Sequence, residues 1–209
     1  WLGAALTGDL GRSLHSRVPV MEEILSRLPV TLELAVLSTV VALAVALPVA
    51  VWSGYRPGGL VDRISGVLVS VTMAIPNFLL ALLLVFVFGV TLQAFPVNGW
   101  VPLEEGLTPH AARLVLPVLT LAASQAVMFI RILRGDIAAT LREDFVLAAR
   151  ARGIRTPSIL VRHALRPSAF SLLTVLGLSL GQLIGGTVIV EQLFGLPGMG
   201  QMLVSAMSW

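Results

Sequence analysis

Residues 143–167 read EDFVLAARARGIRTPSILVRHALRP. They lie between two apolar segments, each long enough to cross a bilayer, for which about 20 residues suffice. Arg150, Arg152, Arg155, Arg162 and Arg166, with Arg142 just ahead, face only two carboxylates, Glu143 and Asp144. A basic segment between two membrane spans stays on the cytoplasmic side. Its interior is not loop-like. Phe145, Ala148, Ala149 and Arg152 follow helical i, i+3, i+4, i+7 spacing, and Ala148, Ala149 and Ala151 add little bulk. Gly153 suits a left-handed C-cap. Pro157 suits the start of a second short helix through Ile159, Leu160, His163 and Ala164. A solvated basic loop needs neither the small-residue helix nor the glycine, so the segment reads as a docking element.

Working outward, the span before it covers roughly Ala111–Asp136 and holds Ser124 and Gln125 at its middle. Polar groups at that depth usually face a bundle interior. Arg131 and Arg134 carry this helix toward the cytoplasm. The span after it covers Ser168–Leu193. Gly177, Gly181 and Gly185 are spaced four apart, which lets a second helix approach closely, within the subunit or from another one. Gln182 is the polar residue beside this seam, and Glu191 ends the span ahead of QLFGLPGMGQ. Residues 201–209 begin a further helix.

Toward the N-terminus, Leu28–Gly54 is uncharged between Leu34 and Trp52. Pro29 and Thr31 suit its start, and Pro48 is expected to kink or end it. YRPGGLVDR, residues 55–63, is a turn made cytoplasmic by Arg56 and Arg63. A long span from Leu60 to Ala94 is interrupted at Pro76 and Asn77. Such a break frees backbone carbonyls, to be satisfied by packed neighbours or by a watered path. Residues 95–112, with Glu104, Glu105 and Trp100, belong outside. Residues 1–27 form an outer-face interfacial segment in which Val20, Ile24 and Leu28 suit a short amphipathic helix; residues 28–209 form the transmembrane domain.

Composition bounds the function. Of 209 residues, 56% are hydrophobic and 12% charged, against about 25% charged in soluble domains. No cysteine and no lysine occur, so disulfides and thiolate metal sites are excluded over these residues. The net charge of +3 concentrates in the basic loop, which does not point to nucleic acid. No GxxxxGK[ST] phosphate loop and no HExxH motif is present. His15, His110 and His163 fall in different segments, none within a span, so no metal site and no catalytic group is expected.

The 143–167 segment resembles the EAA loop of permease subunits of binding-protein-dependent ABC importers. Ala148, Ala149 and Gly153 fall in register, with Leu147 in the glutamate position. ARARG followed by LVRHALRPS is closer to the dipeptide, oligopeptide and nickel branch, as is E-x-x-F-x-x-P-G-x-G starting at Glu191. The resemblance implies an all-α polytopic membrane helix bundle of the ABC importer permease type, of the first-permease kind, with four spans here and about six in a full chain. It implies a multi-pass place in a bacterial or archaeal inner membrane. Ala148, Ala149, Arg150, Arg152, Gly153 and Ile154 would couple to ATPase subunits. Pro76, Asn77, Gln125, Gln182 and Glu191 are candidates for the path or gate, and Gly177, Gly181 and Gly185 for helix packing. The implied partners are a second permease subunit, two ATP-binding subunits that hold ATP and Mg, an outer substrate-binding protein, and lipid. No cofactor is expected in this chain. Import of di- or oligopeptides is the first reading, nickel or another small solute the second, and an ion-coupled transporter or channel the third.

Overall fold

The computed structural model describes residues 10–13 and 17–207, without the side chains of 184–186. His15 lies outside the described residues. Within them every regular element is helical, apart from an isolated bridge between Arg12 and Pro19. The helices are α1 (Val20–Tyr55), α2 (Leu60–Ala74), α3 (Asn77–Leu84), α4 (Leu107–Thr140), α5 (Asp144–Ala151), α6 (Arg166–Gly186), α7 (Val188–Phe194) and α8 (Met199–Met207). α3 continues as π-helix over Val85–Thr91. A turn at Thr156–Ser158 and a π-helical stretch at Ile159–Leu165 lead directly into α6.

Three helices are long and apolar enough to span a membrane: Val20–Tyr55, Leu107–Thr140 and Thr156–Leu183. The pair Leu60–Ala74 and Asn77–Thr91, bent by 107° at its break, makes a fourth when taken as one span. Among the described residues three of the four expected spans are thus single helices and the fourth rests on the bent pair, with several boundaries moved. The amphipathic turn at 20–28 is continuous with the first span, and α1 passes Pro29 and Pro48 without ending. A proline inside a helix removes one hydrogen bond, and in membrane helices neighbouring groups compensate that loss. The second short helix expected after Pro157 is not separate either. Pro167 is the second residue of α6, where the widened π-helical turn ahead of it already departs from i→i−4 bonding. The last span breaks at Thr187, which places Glu191 on the separate helix α7.

The chain forms two compact units. One contains Trp1–Val36, Ala81–Pro117 and Gln182–Trp209; the other contains Leu37–Leu80 and Val118–Gly181. The core of the second unit sets a stripe of small residues on α1 against large ones on α4. Ser38, Ala42, Ala46 and Ala50 recur every four residues and are fully buried. Gly54 extends the row, and a Cβ there would lie 2.9 Å from Ile137 Cγ2 and 3.1 Å from the Arg134 carbonyl oxygen. Opposite stand Phe129, Ile130, Leu133, Ile137 and Leu141. Lipid tails are as apolar as leucine, so close packing rather than hydrophobic transfer holds such helices together. In the first unit Leu34, Leu116, Val190, Phe194 and Leu196 are buried, as is Glu191.

Candidate functional site

The second unit carries α5. Its N-cap, Glu143, is extended, and the Glu143 carbonyl accepts the Val146 and Leu147 N–H groups at 3.0 and 3.2 Å. Val146 is buried in a core shared with Ile137, Leu141 and Ile159, and Ala149 is buried as well. The opposite face is open: Phe145 is 47% exposed and Leu147 51%, and Ala148, Arg150 and Arg152 are exposed beside them. Gly153 has φ +75°. Its N–H donates to the Arg150 carbonyl at 2.9 Å, and the Ile154 N–H donates to the Ala149 carbonyl at 3.2 Å. These two bonds are those of a Schellman C-cap, which favours glycine because only glycine adopts the left-handed turn without a Cβ penalty. The six coupling candidates thus lie on one helix and its C-terminal cap, with Ala149 as the buried one among them. The exposed apolar pair Phe145 and Leu147 is the part that composition alone did not single out.

At the break in the second span, α2 ends on extended Ile75. The Pro76 carbonyl accepts the Leu79 and Leu80 N–H groups at 2.9 and 3.1 Å, so α3 starts there. Pro76 and Asn77 are exposed, and the Asn77 side chain accepts the Ser124 hydroxyl at 2.6 Å. Gln125, one residue on, points elsewhere. Its amide donates to Ser38 and its carbonyl accepts from Thr39, both at 3.0 Å. Buried and bonded at both ends, Gln125 clamps α4 to α1 and is not brought together with Asn77.

Asp62 and Arg134 form a two-pronged pair: Nε donates to Oδ1, and a terminal nitrogen to Oδ2 at 2.8 Å. The Gly58 N–H also donates to Oδ2 at 2.8 Å. Bidentate geometry of this kind is strong and directional. It ties the turn at 55–63 to α4, so Arg134 is a structural partner as well as a basic flank. The two lie 72 positions apart, a separation that leaves no local signal.

In the first unit Glu191 is 0% exposed. Its Oε1 accepts the Thr31 and Thr187 hydroxyls at 2.8 and 2.9 Å. Its Oε2 accepts the backbone N–H groups of Gly200 and Gln201 at 2.7 and 3.2 Å. Thr31 in turn accepts the Met199 N–H at 2.9 Å. A carboxylate at the first turn of α8 meets both free N–H groups and the positive end of the helix dipole. The spacing of the motif follows from this geometry. Gly195, at φ +63°, ends α7. A Cβ on Gly198 would collide with the Glu191 carboxylate, and one on Gly200 would lie 2.5 Å from Val188 Cα. Glu191 is therefore closed inside a network.

The remaining candidates are open. Gln182 is exposed. A Cβ on Gly177 or Gly181 would meet nothing within 4 Å, so among the described residues no helix packs against that part of the seam; Gly185 lies outside the residues whose surroundings are described. His110, expected outside a span, lies in α4, which begins four residues earlier than expected. It is buried, with the Val101 carbonyl on Nδ1 and Glu33 on Nε2, both at 2.7 Å, and Trp100 edge-on at 5.0 Å. Among the described residues no cluster of three metal-ligating side chains occurs.

Residues 46–209 match the family described as binding-protein-dependent transport system inner membrane component. The chain is 32% identical over 206 residues to a probable peptide ABC transporter permease protein, y4tP, of Sinorhizobium fredii, covering 99% of this chain and 66% of that one. It is 35% identical over 209 residues to the oligopeptide transport system permease protein AppB of Bacillus subtilis, with 99% and 66% covered. It is 35% identical over 210 residues to the glutathione transport system permease protein GsiC of Escherichia coli, with 99% and 65% covered. The chain thus spans about two thirds of the length of these relatives.

Proposed function

The chain belongs to the family of binding-protein-dependent transport system inner membrane components, and from that premise we propose that it is a permease subunit of an ATP-driven importer of di- or oligopeptides. The observation that carries this reading is α5, a short helix anchored by Val146 and Ala149, ended by left-handed Gly153, and open along Phe145, Leu147, Ala148 and Arg150. Such a face fits a cleft on an ATPase subunit. ATP and Mg would be bound and hydrolysed there, and this chain itself would hold no cofactor. Closure of two ATPases would move α5 and, through its buried anchors, the second unit, switching the path between inward- and outward-open forms. A homologous permease would complete the path, and a binding protein would deliver cargo outside. Of the path candidates Pro76, Asn77 and Gln182 are open to line it, the last two with polar side chains.

The named relatives are peptide, oligopeptide and glutathione permeases, which favours a peptide over nickel for this chain. An ion-coupled transporter would need an accessible ionisable group within the membrane, and Glu191 is enclosed by four donors. The test is purification of the tagged full-length subunit, followed by reconstitution with its binding protein. ATPase subunits should copurify, and ATP should drive uptake of a labelled di- or tripeptide but not of nickel. A homo-oligomer that moves solute without ATP would overturn the reading.

A further inference from the structure

A cavity of about 500 Å³ opens in the second unit where the end of α1 meets α5. That volume lies within the range of roughly 300–1,000 Å³ seen for small-molecule sites. Its floor is apolar, with Leu141 and Ile159 buried. Arg56 and Arg150, both exposed, line it together with Tyr55 and Thr156, which bring two hydroxyl groups. The Arg56 guanidinium carbon sits 5.8 Å from the Trp52 ring centroid and 5.7 Å from that of Tyr55. Stacking of this kind orients a guanidinium while leaving its edge N–H donors free. Neither arginine forms an ion pair among the described residues.

Two arginines line one cavity with no carboxylate paired to either among the described residues. An anion bound there would give them charge-assisted hydrogen-bond partners. Phosphate fits, because arginine donates to it through parallel N–H bonds and two hydroxyls remain for its other oxygens. We propose that this cavity binds the phosphate group of an anionic ligand, either an inner-leaflet phospholipid headgroup or free phosphate. The lipid source rests on the cytoplasmic orientation proposed above, since basic pockets on that side take anionic headgroups and the floor would take the start of an acyl chain. Occupancy would brace the end of α1 against α5, so the ligand would tune coupling without being cargo.

The experiment uses the full-length subunit in its purified, delipidated complex. Dioctanoyl phosphatidylglycerol, dioctanoyl phosphatidylcholine and inorganic phosphate are each titrated by calorimetry. A phosphate-bearing anion should bind once per chain, and Arg56→Gln should weaken it about fivefold, the effect of roughly one basic residue near a headgroup. Arg56→Lys should weaken it less. Tighter binding of phosphatidylglycerol than of phosphate supports the lipid source; equal binding with mutual competition supports free phosphate. The proposal is overturned by no saturable binding, by equal binding of phosphatidylcholine, or by indifference to both Arg56→Gln and Arg150→Gln. Binding to the permease alone that is lost in the complex would assign the cavity to the ATPase contact and also overturn it. Binding is read without transport, so this result and the importer reading can fail separately.

Discussion

Gly153 has φ +75° with no atom within 4 Å of where a Cβ would stand. A substitution there is opposed by the backbone alone, at roughly 1–2 kcal/mol for an ordinary L-residue and more for a β-branched one. Gly153→Val should therefore leave the subunit in the membrane while weakening ATPase copurification and abolishing peptide uptake at matched levels. Gly153→Asn, which tolerates the left-handed region, should retain most of both. Equal behaviour of the two variants would remove the C-cap from the coupling argument. Glu191 fails differently. Removing the carboxylate in Glu191→Ala strands the Gly200 and Gln201 N–H groups and leaves a void, while Glu191→Gln keeps one acceptor. Losing a buried charged acceptor costs on the order of 3 kcal/mol, so the melting temperature of the purified complex should fall in the order wild type, Gln, Ala. An unchanged Ala variant would contradict the enclosed network. The sequence marked both residues, Gly153 by its place after a small-residue helix and Glu191 by its motif. It could not show that Glu191 is saturated, because Thr31, one of its donors, lies 160 residues away.

Helices carry the next level of argument. The apolar runs were plain because each exceeds the length of a bilayer crossing, and the break at Pro76 was plain because proline cannot donate a helix bond. Gly177, Gly181 and Gly185 stand out as glycines, and the structure adds a second row, Ser38, Ala42, Ala46, Ala50 and Gly54, packed within the chain, whose spacing of four is equally readable in mixed small residues. Ala46→Leu should push α1 off α4 and destabilise the chain itself by about 1–3 kcal/mol, read as lost expression and a lowered melting temperature. Gly181→Leu should leave the subunit folded and disrupt only assembly with a second permease. If Gly181→Leu assembles and transports normally, the open seam faces lipid. At the break, Asn77 is exposed and bonded only to Ser124 among the described partners. Asn77→Cys should react with a small water-soluble thiol reagent in at least one nucleotide state, and silence in all states would make the break a packed kink. Long-range pairs such as Asp62 with Arg134 were not legible, since neither periodicity nor local spacing links them.

Charge divides the whole molecule as the contacts do. The unit of Leu37–Leu80 and Val118–Gly181 holds ten of the fourteen arginines and four of the eleven carboxylates, a net +6, and the other unit a net −3. The segments that the basic-loop rule assigned to the cytoplasm, residues 55–63 and 143–167, both fall in the positive unit. Those assigned to the outside, residues 1–27 and 95–112, fall in the negative one. Both basic segments thus belong to one compact unit. The rule acts through arginine and lysine near the ends of spans, whose transfer across the membrane is disfavoured. Over these residues the chain has no cysteine, so single introduced thiols report orientation directly. Arg63→Cys, exposed after the first turn, should react with a membrane-impermeant maleimide only after cells are permeabilised. Leu103→Cys, 59% exposed on the turn Leu103–Glu105, should react in intact cells. Removing one arginine leaves the positive unit at net +5 against −3, so the substitution should not itself invert the chain. The reverse pattern of labelling would place α5 outside, where no ATPase could reach it, and the coupling argument would fall with the orientation.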